Sequence, residues 1–218
     1  MKVKWYGHSS FLITSEQGLK IITDPYEPGG FGGAITYGKI IDTPDIVLIS
    51  HDHGDHNFIE GIPGSPAVIR KPGTQNIKGI EFLGIPTYHD TSQGKERGKN
   101  IVFLFRIAGI KICHLGDLGH QLSREDIEKM GSIDLLLIPI GGTYTINPQV
   151  ATQIVQGIKP KIAIPMHFKT QKCGFPLNEV KDFTKGKKKF RILGENEMEI
   201  KKGNLPSETE IIVMDHAL

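Results

Sequence analysis

The chain has 218 residues, 38% of them hydrophobic and 23% charged, an ordinary globular composition long enough for a sizeable core. Twenty-six Lys and Arg against 24 Asp and Glu leave a formal net charge of +2, too small to demand a polyanionic partner. Cys113 and Cys173 lie far apart with no C-x-x-C spacing, which argues against a disulfide scaffold or a cysteine zinc knot and favours reduced thiols.

The start, Met1-Lys2-Val3-Lys4-Trp5, lacks the apolar stretch of a signal peptide. Apolar runs such as Ile101–Phe105 and Leu135–Ile138 are strand-sized, short of the ~20 residues of a membrane helix. A cytoplasmic protein with no membrane insertion is the expectation. In chain order, strands are predicted at Phe11–Thr14, Lys20–Thr23, Asp45–Ser50, Ala67–Ile69, Ile80–Leu83, Ile101–Ile107, Ile110–His114, Asp134–Ile138 and Lys161–Pro165. Helices are predicted at Ser123–Met130, where Ser123 and Asp126 resemble a capping box, and at Pro148–Ile158 after an Asn147 cap. Leu177–Thr184 is a weaker helix, and the basic stretch Lys185–Arg191 reads as a solvated turn before a C-terminal strand. Many strands with helices interspersed favour two sheets with helices outside them.

Three of the nine histidines fall in His51-Asp52-His53-Gly54-Asp55-His56, directly after the strand at Asp45–Ser50. Extended geometry sends His51 and His53 to one side, where they can share an ion. Gly54 then permits a sharp turn that presents Asp55 and His56 to a second centre. Imidazole with carboxylate suits zinc, and also manganese or iron. These ligands cannot complete two coordination shells, so others must come from loops that follow strands. His89, Asp117 and His167 each meet that condition.

With these residues in place, the sequence resembles the metallo-β-lactamase-fold hydrolases over nearly its whole length. The resemblance rests on Trp5-Tyr6-Gly7-His8-Ser9-Ser10-Phe11, Thr23-Asp24-Pro25, the H-x-H-x-D-H signature, His89, His114-Leu115-Gly116-Asp117, Pro139-Ile140-Gly141-Gly142-Thr143 and Pro165-Met166-His167. The Gly-His start and the Pro-Ile-Gly-Gly segment look most like the branch containing ascorbate-phosphate lactonases and N-acyl phosphatidylethanolamine phospholipase D. The resemblance implies a single domain over residues 1–218 of α/β (α+β) class, a four-layer αββα sandwich. Two mixed sheets would pack face to face with helices outside, and the metal site would lie at one edge. It also implies two divalent ions: His51, His53 and His89 on the first, Asp55, His56 and His167 on the second, Asp117 bridging both. Asp24 matches a residue that orients the metal loop.

Two ions ~3.5–4 Å apart share a water and lower its pKa from ~15.7 to ~7, giving a bridging hydroxide that attacks a carbonyl or phosphorus. Asp117, Asp55 and His8 are the expected catalytic residues, His8 through substrate binding or proton transfer at the metal mouth. His114 is expected to support the site by a hydrogen bond. Gly141–Tyr144, including Thr143 and Tyr144, would either present N–H groups to an oxyanion or form a plain tight turn. Arg97 and Lys99, and equally Lys169, could meet an anionic group, although a solvated loop is the simpler reading. The expected function is hydrolysis of an ester, lactone or phosphodiester bond in a small anionic molecule. A metal-dependent nuclease acting on RNA or DNA and a non-catalytic metal-binding regulator are the alternatives. The near-neutral charge disfavours a nucleic-acid partner, and the complete ligand set disfavours the regulator. A homo-oligomer is left open.

Overall fold

A computed structural model describes all 218 residues. The first of two sheets contains β1 (Lys2–Gly7), β2 (Ser10–Thr14), β3 (Lys20–Thr23), β4 (Ile46–Leu48), β5 (Ala67–Ile69) and β13 (Glu197–Glu199), in the order β13-β1-β2-β3-β4-β5. The second contains β6 (Gly73–Ile77), β7 (Ile80–Tyr88), β8 (Lys99–Ile107), β9 (Ile110–His114), β10 (Leu135–Pro139), β11 (Ile162–Met166), β12 (Phe190–Ile192) and β14 (Glu210–Val213), in the order β12-β14-β11-β10-β9-β8-β7-β6. Both sheets are mixed, as expected. Strand alternation explains how they pack. Val3, Trp5, Phe11, Ile13, Ile21, Ile46 and Leu48 join the strands of the second sheet in one large core. Their neighbours Tyr6, Leu12, Ile22, Val47 and Ile49 face the other way into a smaller cluster.

Helices α2 (Arg124–Met130), α3 (Pro148–Ile158) and α4 (Val180–Thr184) place Met130, Ile154, Val155 and Phe183 in the large core, over strands of the second sheet. The outer face of the first sheet is covered differently. There Tyr26, Ile35, Tyr37, Ile40, Cys173 and Leu177 close the small cluster from loops, with only the single turn α1 (Gly30–Gly33) among them.

Both strong helix predictions hold to their caps. The Ser123 side chain accepts from Asp126 N in a full capping box, and the Asn147 side chain accepts from Val150 N ahead of Pro148. The weaker helix begins later, at Val180. The backbone of Leu177 and Asn178 is committed elsewhere: Asn178 N donates to Gly141 O and Asn178 O accepts from Lys169 N. β1 and β6 lie outside the predicted strands, because neither carries a continuous apolar run.

The pairing directions matter for the site. β1 is antiparallel to β2 and β2 to β3, while β3 and β4 are parallel. In the second sheet β7 is antiparallel to β8 and β8 to β9, while β9, β10 and β11 are parallel. Within each sheet, therefore, β1, β3 and β4, and likewise β7, β9, β10 and β11, deliver their C-terminal ends on a common side.

Candidate metal centre

Every residue of the candidate site follows one of those strand ends. His8 follows β1, Asp24 follows β3, and His51–His56 begin three residues beyond β4. His89 follows β7, Asp117 lies three residues past β9, and His167 follows β11. The chain reaches these places in strained backbone. Of eight non-glycine residues with positive φ, His8 (51°), Asp24 (37°) and His167 (50°) surround the centre, a clustering that marks a functional constraint. Gly116 adopts φ 54°, and a Cβ there would lie 2.4 Å from the Ser50 side chain and 2.5 Å from Asn100 Oδ1. Only glycine lets the Asp117 loop approach the metal loop so closely. Gly54 is not left-handed. The turn expected there forms instead through His53 O, which accepts from both His56 N and Asn57 N.

Asp117 Oδ2 is the point of convergence. It lies 3.1 Å from His167 Nε2, 3.2 Å from His56 Nε2, 3.3 Å from His89 Nε2 and 4.0 Å from His51 Nε2. Donor atoms of His51, His53 and His89 fall within 4.8 Å of one another, and so do those of His8, Asp55, His56 and His167. Asp117 thus touches both groups. His51 Nε2, His56 Nε2 and Asp117 Oδ1 are buried with no hydrogen-bond partner. Buried polar atoms are seldom left so, and a set of five imidazoles and two carboxylates with unpaired donor atoms fits divalent cations of the zinc, manganese or iron type.

A lattice of hydrogen bonds holds this set. Asp24 is fully buried and accepts from Ser50 N (2.7 Å), Ser50 Oγ (2.8 Å) and His114 Nε2 (2.8 Å). Ser50 Oγ also lies 2.9 Å from His51 Nδ1 and so couples Asp24 to the metal loop. Asn100 Oδ1 accepts from Asp117 N at 2.9 Å, while its Nδ2 donates to Leu115 O and Thr87 Oγ1. Ser50 and Asn100 escaped the sequence reading, since a serine after a strand and an asparagine inside one carry no signal of their own.

The electrostatics follow from burial among charges. Burial, then His56, lowers His51, and burial, then His89, lowers His53, which favours the neutral imidazole at both. Burial opposes the charged form of His56, but Asp117 and Asp55 outweigh it and raise His56 well above its ordinary value. Burial would likewise raise Asp117, yet His167 and His56 hold it well below the carboxylate range. The cluster is built to keep its carboxylates ionised.

The remaining predicted residues divide. His8 does not reach the mouth: it is fully buried, with Nε2 3.0 Å from Asp55 Oδ2 and its ring 4.0 Å from that of His167. Burial, then His167, pushes it down to about 4. His114 Nε2 lies 2.8 Å from Asp24 Oδ2. Gly142 N and Thr143 N donate to Ile146 O and Gly141 O, and Thr143 Oγ1 donates to Pro176 O, so this segment is a tight turn with neither of those N–H groups free for an oxyanion. Lys169 Nζ donates to Cys173 O and Phe175 O and is a strut rather than a free cation. His120 and His216, outside the centre, are half-buried, and His216 packs edge-on against Trp5 and Tyr37.

Arg97 stands at the junction of two cavities beside the centre. Its guanidinium lies 5.7 Å from the Tyr144 ring centroid. One cavity, about 570 Å³, is lined by His51, His53, Arg70, Arg97 and Lys99 among others. The other, about 240 Å³, is lined by His89, Arg97, Thr143 and Tyr144 among others. The loop carrying Arg97 is shaped by Asp90, which accepts from the backbone N of Ser92, Gly94, Glu96 and Arg97.

Residues 2–167 match the family described as the beta-lactamase superfamily domain. A UPF0173 metal-dependent hydrolase of Pelotomaculum thermopropionicum is 31% identical over 199 residues, covering 78% of this chain and 85% of that protein. One from Thermococcus onnurineus is 29% identical over 195 residues with the same coverage. Among solved structures, a Thermotoga maritima protein provisionally described as a zinc-dependent hydrolase of the metallo-β-lactamase superfamily superposes with a TM-score of 0.79. It is 38% identical, and the match covers 98% of this chain and 97% of that one.

Proposed function

The chain belongs to the beta-lactamase superfamily as a metal-dependent hydrolase, and from that premise we propose that it cleaves an ester, lactone or phosphodiester bond in a small anionic substrate with two divalent ions. The observation that carries the reading is the reach of Asp117 Oδ2 to imidazoles of both donor groups. His51, His53 and His89 would hold one ion, Asp55, His56 and His167 the other, and Asp117 would stand between. Bound there, such a pair supplies water activation and stabilisation of the oxyanion. The chain's own residues do the rest. Asp24 and Ser50 fix the metal loop, Asn100 fixes the loop of Asp117, and His8 orients Asp55. Arg70, Arg97 and Lys99 line the larger cavity where it meets His51 and His53, which supports an anionic substrate.

The test is a panel of carboxylic esters, lactones and phosphodiesters, assayed on protein reconstituted separately with zinc and with manganese, with bound metal counted by elemental analysis. Two ions per chain and turnover of at least one class are expected. One ion per chain, or no turnover with both ions bound, rejects the reading.

A further inference from the structure

The loop between β3 and β4 carries the sequence Gly29-Gly30-Phe31-Gly32-Gly33. Phe31 is the only large side chain in it, is 54% exposed, and holds a left-handed backbone at φ 54°. An exposed aromatic ring in a conformation its own backbone disfavours calls for a reason. A Cβ at Gly29, Gly32 or Gly33 would meet nothing within 4 Å, so packing does not require these glycines; their positive φ values of 79°, 65° and 88° do. The segment is closed at its base by Gly29 N on Ile35 O at 2.7 Å.

Phe31 is not aimed at empty solvent. Its ring edge lies 3.7 Å from where a Cβ on Gly54 would be, in the middle of the metal loop. It meets Phe175 edge-on at 5.4 Å, Phe175 meets Tyr144 edge-on at 5.6 Å, and Tyr144 carries the Arg97 guanidinium. Phe175 in turn lies 6.0 Å from the buried His8 ring. The segments bearing Phe31 and Phe175 are joined by Gly174 N on Ala34 O and Thr36 N on Lys172 O, and Lys169 clamps Phe175 O. A continuous rim thus runs from an apolar ring beside the metal loop to a cation at the junction of the two cavities.

We propose that the Phe31–Phe175–Tyr144 rim is a binding subsite for an apolar group, aryl or medium-length acyl, of the substrate. Phe31 on its glycine-flanked loop is the adjustable wall of that subsite. The inference rests on the reading above, which supplies the metal centre beside the rim. Continuity with that centre and the cation at its far end select a small amphiphilic anion as the occupant. Offset or edge-on contact with such a group stabilises the complex in proportion to the apolar area removed from water.

The experiment titrates zinc-loaded protein calorimetrically with butyrate and with 4-phenylbutyrate, carboxylates that differ by one aryl group. The wild type is expected to bind 4-phenylbutyrate on the order of tenfold more tightly. In Phe31→Ala and in Phe175→Ala that preference should fall below about threefold with zinc content unchanged. Phe190→Ala, which alters an exposed ring elsewhere on the surface, should leave it intact. Equal binding of the two ligands by the wild type, or no binding of either at millimolar concentration, overturns the subsite. So does a preference that survives both rim variants. Because binding is read without turnover, the two readings fail separately. An aryl preference with no hydrolysis sinks the reaction alone, and hydrolysis without the preference sinks the subsite alone.

Discussion

His8 Nε2 lies 3.0 Å from Asp55 Oδ2 while the backbone carbonyl of His8 accepts from His167 N at 3.1 Å, so one residue touches two members of the second donor group. With the ring neutral and Nδ1 buried without a partner, Nε2–H is the donor to the carboxylate. This arrangement fixes the plane of the Asp55 carboxylate, whose Oδ2 also lies 3.6 Å from His56 Nε2. His8→Ala should therefore weaken the second ion by ~10–100-fold, as loss of a ligand's hydrogen-bond partner commonly does. His8→Gln, whose amide N–H reaches a similar position, should recover most of that affinity. Chelator competition on each variant measures it, and unchanged affinity in His8→Ala would contradict the assignment.

Asp117→Ala removes the one carboxylate that meets imidazoles of both groups. Turnover should fall below detection, and the bound metal should drop below two ions per chain by elemental analysis. Full activity with undiminished metal would remove Asp117 from the centre.

Asp24 is fully buried, and its carboxylate accepts from Ser50 N, Ser50 Oγ and His114 Nε2. Asp24→Ala leaves those donors unsatisfied in the interior, so the variant should lose ~3–5 kcal/mol in urea denaturation. A loss within about 0.5 kcal/mol, the usual range of a surface substitution, would show that the lattice around the metal loop is not a stabilising element.

Asp134 offers a pH test away from the metal. Burial would raise its carboxyl, but the Lys111 N–H at 2.8 Å and the Lys202 ammonium at 2.7 Å outweigh burial and lower it. A carboxyl lowered by folding contributes stability above its unfolded pKa of ~3.9, and that stability is lost as pH falls through the folded value. Wild type should therefore melt above Asp134→Asn at neutral pH, with the gap closing in acid below ~4. A gap independent of pH would assign the effect to shape rather than charge.

Asn147 caps α3 through Val150 N at 2.9 Å. Asn147→Ala should cost ~1 kcal/mol, read from the urea midpoint, with zinc content unaffected.

The sequence by itself pointed to most of the strands, to both well-capped helices and to the imidazoles and carboxylates that the fold gathers around Asp117, His8 apart. These are local or strongly typed signals. An apolar run between turn residues reads as a strand wherever it packs, Ser123 and Asn147 announce their helices, and imidazoles crowded within six residues have few other uses. It could not place the His8 ring, because a Gly-His turn looks the same whether its ring opens to a mouth or is buried on a carboxylate. Lys169 looked equivalent to Arg97 for the same reason, until the two carbonyls of the 173–175 segment were seen to occupy it. Ser50, Asn100 and the Phe31–Phe175–Tyr144 rim were invisible, since their meaning lies in contacts between residues far apart in the chain. Only the tertiary structure decided those. The shared direction of the strand ends brings the loops to one side, and the close approach at Gly116 lets Asp117 span both donor groups. Which polar atoms remain unpaired there depends on all of these loops at once.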